Sequence, residues 1–267
     1  MTKARKKSIF SMQADISPST YAIISLCSFI VFFAVWAGAV QFGLVKQIFL
    51  PAPMSILSKL WTLAHDGTLG SDVLSSVYRI GVGFTLASVT ALAIGVLIGN
   101  YKFWDAAIEP FLDFIRYMPV VAFVPLTILW TGTSDSQKFL VIWIGTFFQQ
   151  ALMFMDNIKR VPPDFIGFGR TVGLSDFKIV TKIILPSAAP QIWDTLRISL
   201  GWAWTWVVLA ELVAANSGLG YRITVAQRYF QTDTAIGYIV VLGVLGLLTD
   251  QIMKFLGKRM FRYEGKH

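Results

Sequence analysis

Over 267 residues the chain is 55% hydrophobic and 14% charged, with a mean hydropathy of +0.63. Soluble domains carry about a quarter charged residues, so this composition excludes an ordinary water-soluble enzyme. The net charge of +8 comes without any soluble basic domain, which argues against nucleic-acid binding and for Lys and Arg gathered in the loops of a membrane protein.

Residues 1–19 form a polar tail with Lys3, Arg5, Lys6 and Lys7. The first apolar run, 20–42, follows. A basic tail before an apolar run also describes a signal peptide, and Ala37-Gly38-Ala39 resembles a cleavage site. The run starts late and is too long for that, which favours an uncleaved first span. Cys27 lies inside it as a small apolar packing residue, unable to form an intrachain disulfide as the single cysteine. Residues 43–77 are mixed. Met54, Leu57, Leu60, Trp61 and Ala64 recur at helical spacing after Pro51 and Pro53, the pattern of a short amphipathic helix at the membrane surface.

Further apolar runs occupy 78–99, 106–131, 138–156, 192–215 and 235–256, each long enough to cross about 30 Å of hydrocarbon. The third carries Pro110, Pro119 and Pro125 with Arg116 among them. Proline frees helix carbonyls, which lipid cannot satisfy, so a broken span here faces protein or a water-lined cavity. The reading is all-α, with six transmembrane helices. It comprises a 1–19 tail, a 20–42 span, a 43–77 outer segment, a 78–262 core and a 263–267 tail. Lys102, Lys159, Arg160, Arg170, Lys178, Lys182, Lys254, Lys258, Arg259, Arg262 and Lys266 then fall on one side, against Lys46, Lys59, Lys138, Arg222 and Arg228 on the other. That asymmetry places both termini in the cytoplasm.

The longest inner loop, 157–191, suggests two short helices. Pro162-Pro163-Asp164 can start the first and Gly173 can end it. Ser175 or Asp176 can cap the second, which Pro186 is expected to stop. Gly173, nine residues, Ile183, one residue, Leu185 and Pro186 resemble the Gly-x9-Ile-x-Leu-Pro part of the "EAA" loop of ABC-importer permeases of type I. Gly167-Phe168-Gly169 replaces the usual Glu-Ala-Ala, so no role is carried over for that Glu. Leu50-Pro51-Ala52-Pro53, Tyr78-Arg79-Ile80, Leu196 to Gly201 and Ala210 to Gly220 are similar to the nitrate, sulfonate, taurine and bicarbonate branch.

The resemblance implies a bacterial inner-membrane permease pairing with a second copy of itself. It implies two ATPase subunits that use ATP and Mg, and a periplasmic substrate-binding protein; this chain would bind no cofactor. Residues 164–178 would form the region gripped by the ATPases, with Gly173, Leu174, Ser175, Asp176, Ile183, Leu185 and Pro186 as coupling residues. The chain has no G-x-x-x-x-G-K-[ST] of its own, since Gly257-Lys258 lacks the rest.

Arg79, Arg116, Arg197 and Glu211 lie in or beside apolar runs, where an ionisable group must pair, line water or face the bundle interior. Arg116, Arg79, Glu211 and Gln149 are candidates for a translocation path. The alternative is structural: snorkelling, or an ion pair such as Arg79 with Glu211. Trp202, Trp204 and Trp206 read as packing or interface anchors, while Phe147, Phe148, Gln149 and Gln150 could reach a central path. Rival classes are an ion-coupled secondary transporter, for which Glu211 is the one acidic candidate, and an ABC permease for another small organic ligand. A membrane enzyme would need clustered His and carboxylates, which the sequence does not show.

Overall fold

A computed structural model of the chain describes residues 16–262, so the basic tail at Lys3 to Lys7 and Lys266 lie outside the described residues. Every described element is helical. α1 is Pro18–Gln41, α2 Pro53–His65, α3 Thr68–Asn100, α4 Lys102–Arg116, α5 Val120–Thr131 and α6 Asp135–Lys159. α7 is Pro163–Thr171, α8 Asp176–Ile179, α9 Leu185–Ala214, α10 Leu219–Arg228 and α11 Thr232–Met260. Among the described residues five helices are long and apolar enough to cross a membrane, and α4 with α5, bent by 100° at their break, pass the same test together as a broken span or a re-entrant loop.

The core is α3, α6 and α9. α3 runs parallel to α6 because Gly83, Ala87, Ala91, Gly95 and Gly99 form a stripe of small residues every four positions. A Cβ on Gly95 would meet the Phe154 Cβ at 2.6 Å and the Ala151 carbonyl at 2.9 Å. Lipid offers no hydrophobic drive between helices, so this close backbone approach and interhelical hydrogen bonds supply the adhesion. α9 runs antiparallel to α6. Gln150 Nε2 donates to Ser88 Oγ at 3.0 Å and Ser199 Oγ at 2.9 Å, and Asn157 Nδ2 donates to Thr195 Oγ1 at 2.8 Å.

Three sequence boundaries move. α3 begins at Thr68, ten residues before the expected 78, because Asp72 and Ser76 are buried with partners despite their polarity. The third span divides at Tyr117-Met118-Pro119, where Pro119 caps α5 and lacks a helix donor. At about 18 Å, α5 alone is too short to cross. Pro186 does not stop the second loop helix. A π-turn at Val180–Ile184, with Leu185 N–H bonded to the Val180 carbonyl, joins α8 to α9, and Pro186 sits in the first turn of α9, where a missing donor is tolerated. Cys27 faces outward on α1 rather than packing inside.

The bundle has two unlike ends. At one, where α3, α6 and α11 finish and α9 starts, lie Lys102, Lys159, Arg160, Arg170, Lys178, Lys182, Lys254, Lys258 and Arg259. Lys159 there bridges Asp105 at 2.8 Å and Glu109 at 3.4 Å, tying α4 to α6. At the opposite end, α2 and α10 are short helices beside the starts of α3 and α6. Asp66 Oδ1 accepts from the Thr68 N–H at 2.9 Å, which starts α3 and holds its carboxyl below its ordinary value.

Candidate functional site

An open-sided cavity of about 430 Å³ lies halfway along α6, lined by three elements. The α4–α5 elbow contributes Arg116, Tyr117, Pro119 and Phe123; α6 contributes Ile144, Gly145, Phe148 and Gln149; α9 contributes Trp202 and Trp206. The elbow exists because Pro119 breaks the third span, and it delivers a guanidinium to mid-bundle depth. Arg116 Nε lies 3.0 Å from Asp113 Oδ1, an ion pair without hydrogen-bond geometry. Its Nη2 donates to Tyr117 Oη at 3.1 Å, and the guanidinium stands 4.9 Å from the Tyr117 ring centre.

Gly145 makes the α9 wall possible. A Cβ there would fall 2.6 Å from the Trp206 ring, so the indole rests directly on the α6 backbone. Trp206 Nε1 is buried without a hydrogen-bond partner among the described residues. Such an N–H costs about 1–3 kcal/mol unless something accepts from it.

A second cluster occupies the opposite end. Glu211, fully buried, accepts from Ser76 Oγ and Arg79 Nη1, each at 2.8 Å, and from the Gly220 N–H, also at 2.8 Å. Arg79 Nε donates to Asp135 at 2.7 Å and its Nη1 to the Ser217 carbonyl at 2.6 Å. Asp72 accepts from Gly218 N–H, Arg222 Nε and Tyr238 Oη. Lys138 Nζ donates to the carbonyls of Thr133, Ser134 and Ala214, the last at the end of α9. Arg79, Lys138 and Arg222 thus balance Asp72, Asp135 and Glu211, and the cluster locks α10 onto α3, α6, α9 and α11.

The loop at the basic end forms the third feature. α7 ends in a Schellman turn: Leu174 N–H bonds to the Gly169 carbonyl and Gly173 N–H to the Arg170 carbonyl, each at 3.0 Å. Gly173 has φ +75°, the left-handed region that a closing glycine supplies without strain. Ser175 precedes α8 as its N-cap, through its carbonyl rather than its side chain. Phe165, Phe168, Val172 and Phe177 are exposed around this turn.

Residues 91–262 match the family of binding-protein-dependent transport system inner membrane components. A probable ABC transporter permease of Brucella abortus (strain 2308) is 34% identical over 241 residues, 90% of this chain and 95% of the relative. This chain belongs to that permease family. A putative aliphatic sulfonates transport permease of Bacillus subtilis (strain 168) is 32% identical over 237 residues, 89% of this chain and 86% of the relative. A subunit of the inward-facing MetNI methionine ABC transporter shares the fold, with a TM-score of 0.62 at 22% identity over 73% of this chain and 95% of that one. The permease is therefore a multi-pass transport component rather than an enzyme.

Of the predicted path residues, Arg116 and Gln149 meet in the cavity. Arg79 and Glu211 lie elsewhere, paired with each other, which is the structural alternative. Phe147 and Gln150 are buried in the core, as is Trp204, whose Nε1 donates to Thr249 Oγ1. Trp202 and Trp206 line the cavity because they are four residues apart and share a helix face, whereas Trp204 points away. A helical period applied to the three tryptophans would have separated them.

The sequence reading also missed a stripe on α9. Ser187, Gln191, Asp194, Ile198, Gly201 and Thr205 are all exposed at three- and four-residue spacing. The Asp194 side chain is 63% exposed and that of Asp250 on α11 is 45% exposed, with Arg197 between them at 3.4 and 3.3 Å. Carboxylates on a spanning helix do not face hydrocarbon, so this face borders water or protein.

Proposed function

We propose that the permease carries a small anion or organosulfonate across a bacterial inner membrane. In this reading a periplasmic binding protein delivers the substrate, two separate ATPase subunits drive the cycle with ATP and Mg, and a second copy completes the path. The basic end faces the cytoplasm, which puts both termini there. The Bacillus subtilis relative is named for aliphatic sulfonates; nitrate and bicarbonate are likewise small oxyanions, and taurine carries a sulfonate beside its ammonium group. Arg116 supplies positive potential at mid-depth, with Gln149 beside it.

The observation that carries the coupling role is the α7–Gly173–α8 turn, which projects exposed aromatic side chains from the basic end. The ATPases grip this turn. Closure of the ATPase pair moves the two turns together, and the π-turn into α9 passes that displacement to Trp202 and Trp206 as a rigid-body motion. Ile183, Leu185 and Pro186 lie in or beside the π-turn that carries it.

The test is Gly173→Val in the assembled transporter. A β-branched residue in the left-handed region costs on the order of 1–3 kcal/mol and distorts the turn. Uptake of labelled sulfonate should fall at least tenfold at unchanged membrane abundance, with ATP hydrolysis no longer tied to transport. Unaltered uptake would remove the coupling role.

A further inference from the structure

We propose that the mid-bundle cavity is itself a binding site for an organic anion, with the charged group at Arg116 and Trp206 and the carbon portion on Phe123 and Phe148. This rests on the transport reading above and goes further: it gives the membrane subunit a selectivity of its own, for organic over inorganic anions.

Four observations converge. One buried donor, Trp206 Nε1, has no hydrogen-bond partner among the described residues, while Arg116 Nε is ion-paired with Asp113 at 3.0 Å; both residues line the cavity. Native interiors satisfy such groups, so an unpartnered indole N–H on a cavity-lining residue points to an acceptor supplied from outside the chain. No carboxylate lines the cavity, which carries the single cation Arg116. Its counter-ion Asp113 sits outside the lining and is itself 43% exposed. Apart from Arg116 and Gln149 the walls are mainly aromatic and aliphatic, a surface that rewards carbon and offers few partners to a hydration shell. The volume of about 430 Å³ falls in the range of small-molecule sites, roughly 300–1,000 Å³, and is generous for a bare three-oxygen anion.

An inorganic anion would surrender its water for a few N–H groups. An alkyl or aryl anion makes the same polar contacts and also removes its tail from water. The Gly145 backbone sets the depth of the site by letting the Trp206 indole lie against α6.

The experiment uses the full chain in lipid nanodiscs. Tryptophan fluorescence is followed while butane-1-sulfonate, nitrate or 1-butanol is added. Butanesulfonate should give a saturable change at a concentration at least tenfold below any nitrate response, with 1-butanol giving none. Read by isothermal titration calorimetry, so that loss of a fluorophore does not count, butanesulfonate affinity should fall at least tenfold in Arg116→Gln and in Trp206→Phe, while Arg116→Lys keeps part of it; circular dichroism checks that each variant is folded. Should Arg116→Gln fail to fold, Trp206→Phe decides. An equal response to nitrate overturns the organic selectivity. An equal response to 1-butanol overturns the anion site, and so does no saturable response or one that both variants retain. Uptake by the assembled transporter separates the two readings. If uptake requires this chain while the cavity binds no butanesulfonate, only the site is lost; if uptake survives deletion of the chain, the transport role is lost.

Discussion

Glu211 shows how one buried side chain dictates its neighbours. Its carboxylate lies so close to the bend before α10 that a Cβ on Gly218 would be 2.4 Å from Oε1, and one on Gly220 2.9 Å from the Glu211 Cβ. Gly218 has φ +112°, so both space and backbone demand glycine. Removing the charge while keeping the shape, as in Glu211→Gln, leaves Arg79 with Asp135, whose side chain is 47% exposed. Breaking a buried pair by removing one partner costs about 3–5 kcal/mol. The Glu211→Gln chain in detergent should melt well below the parent, and Asp135→Asn should melt between the two. Equal melting points for Glu211→Gln and the parent would contradict the structural role. The sequence placed Arg79 and Glu211 at risk of being unpaired in lipid and could not choose between path and pair, because the choice depends on where α3 meets α9. Arg116 and Gln149, 33 positions apart, posed the same problem, and there the fold brings both into the cavity.

At the scale of elements, α3 and α6 adhere through the small-residue stripe, and the same helix provides its own control. A Cβ on Gly81 meets nothing within 4 Å, whereas one on Gly95 meets both backbone and side chain of α6. Gly95→Leu should therefore prevent a stable fold, since overpacking a tight contact costs about 1–3 kcal/mol or more, and Gly81→Leu should be accepted. The measurement is the yield of monodisperse protein after detergent extraction; comparable yields for both would show that close helix approach is not what holds α3. The apolar runs behind α1, α3, α6, α9 and α11 were legible because lipid imposes length and hydropathy on them. The start of α3 was not: Ser71, Asp72, Ser75 and Ser76 look like loop residues until Asp72 and Ser76 find partners on α9, α10 and α11. Pro186 misled in the opposite direction, because a π-turn preceding a proline relieves the very conflict that marks a helix end.

For the whole molecule, the decisive asymmetry is lateral as well as axial. α1 and much of α11 turn apolar faces outward, as a lipid boundary requires. α9 turns out Ser187, Asp194, Gly201 and Thr205, on the flank next to Trp202 and Trp206. Asp194 lies about 14 Å along α9 from its first residue, inside the stretch that must cross. Together with Asp250 it outnumbers Arg197, leaving a net negative charge that costs at least a few kcal/mol against hydrocarbon. The cavity and this stripe therefore lie on one side of the subunit, a side that borders water or protein rather than lipid, with Arg116 at mid-depth and Asp194 nearer the basic end. In a Cys27→Ser background, cysteines introduced at Gly201 and Thr205 in the assembled transporter should react with a charged, membrane-impermeant thiol reagent. Cysteines at Val244 and Leu248, exposed on α11, should not. Faster reaction on α11 than on α9 would reverse the assignment of the wet and lipid faces, and with it the direction in which the cavity opens.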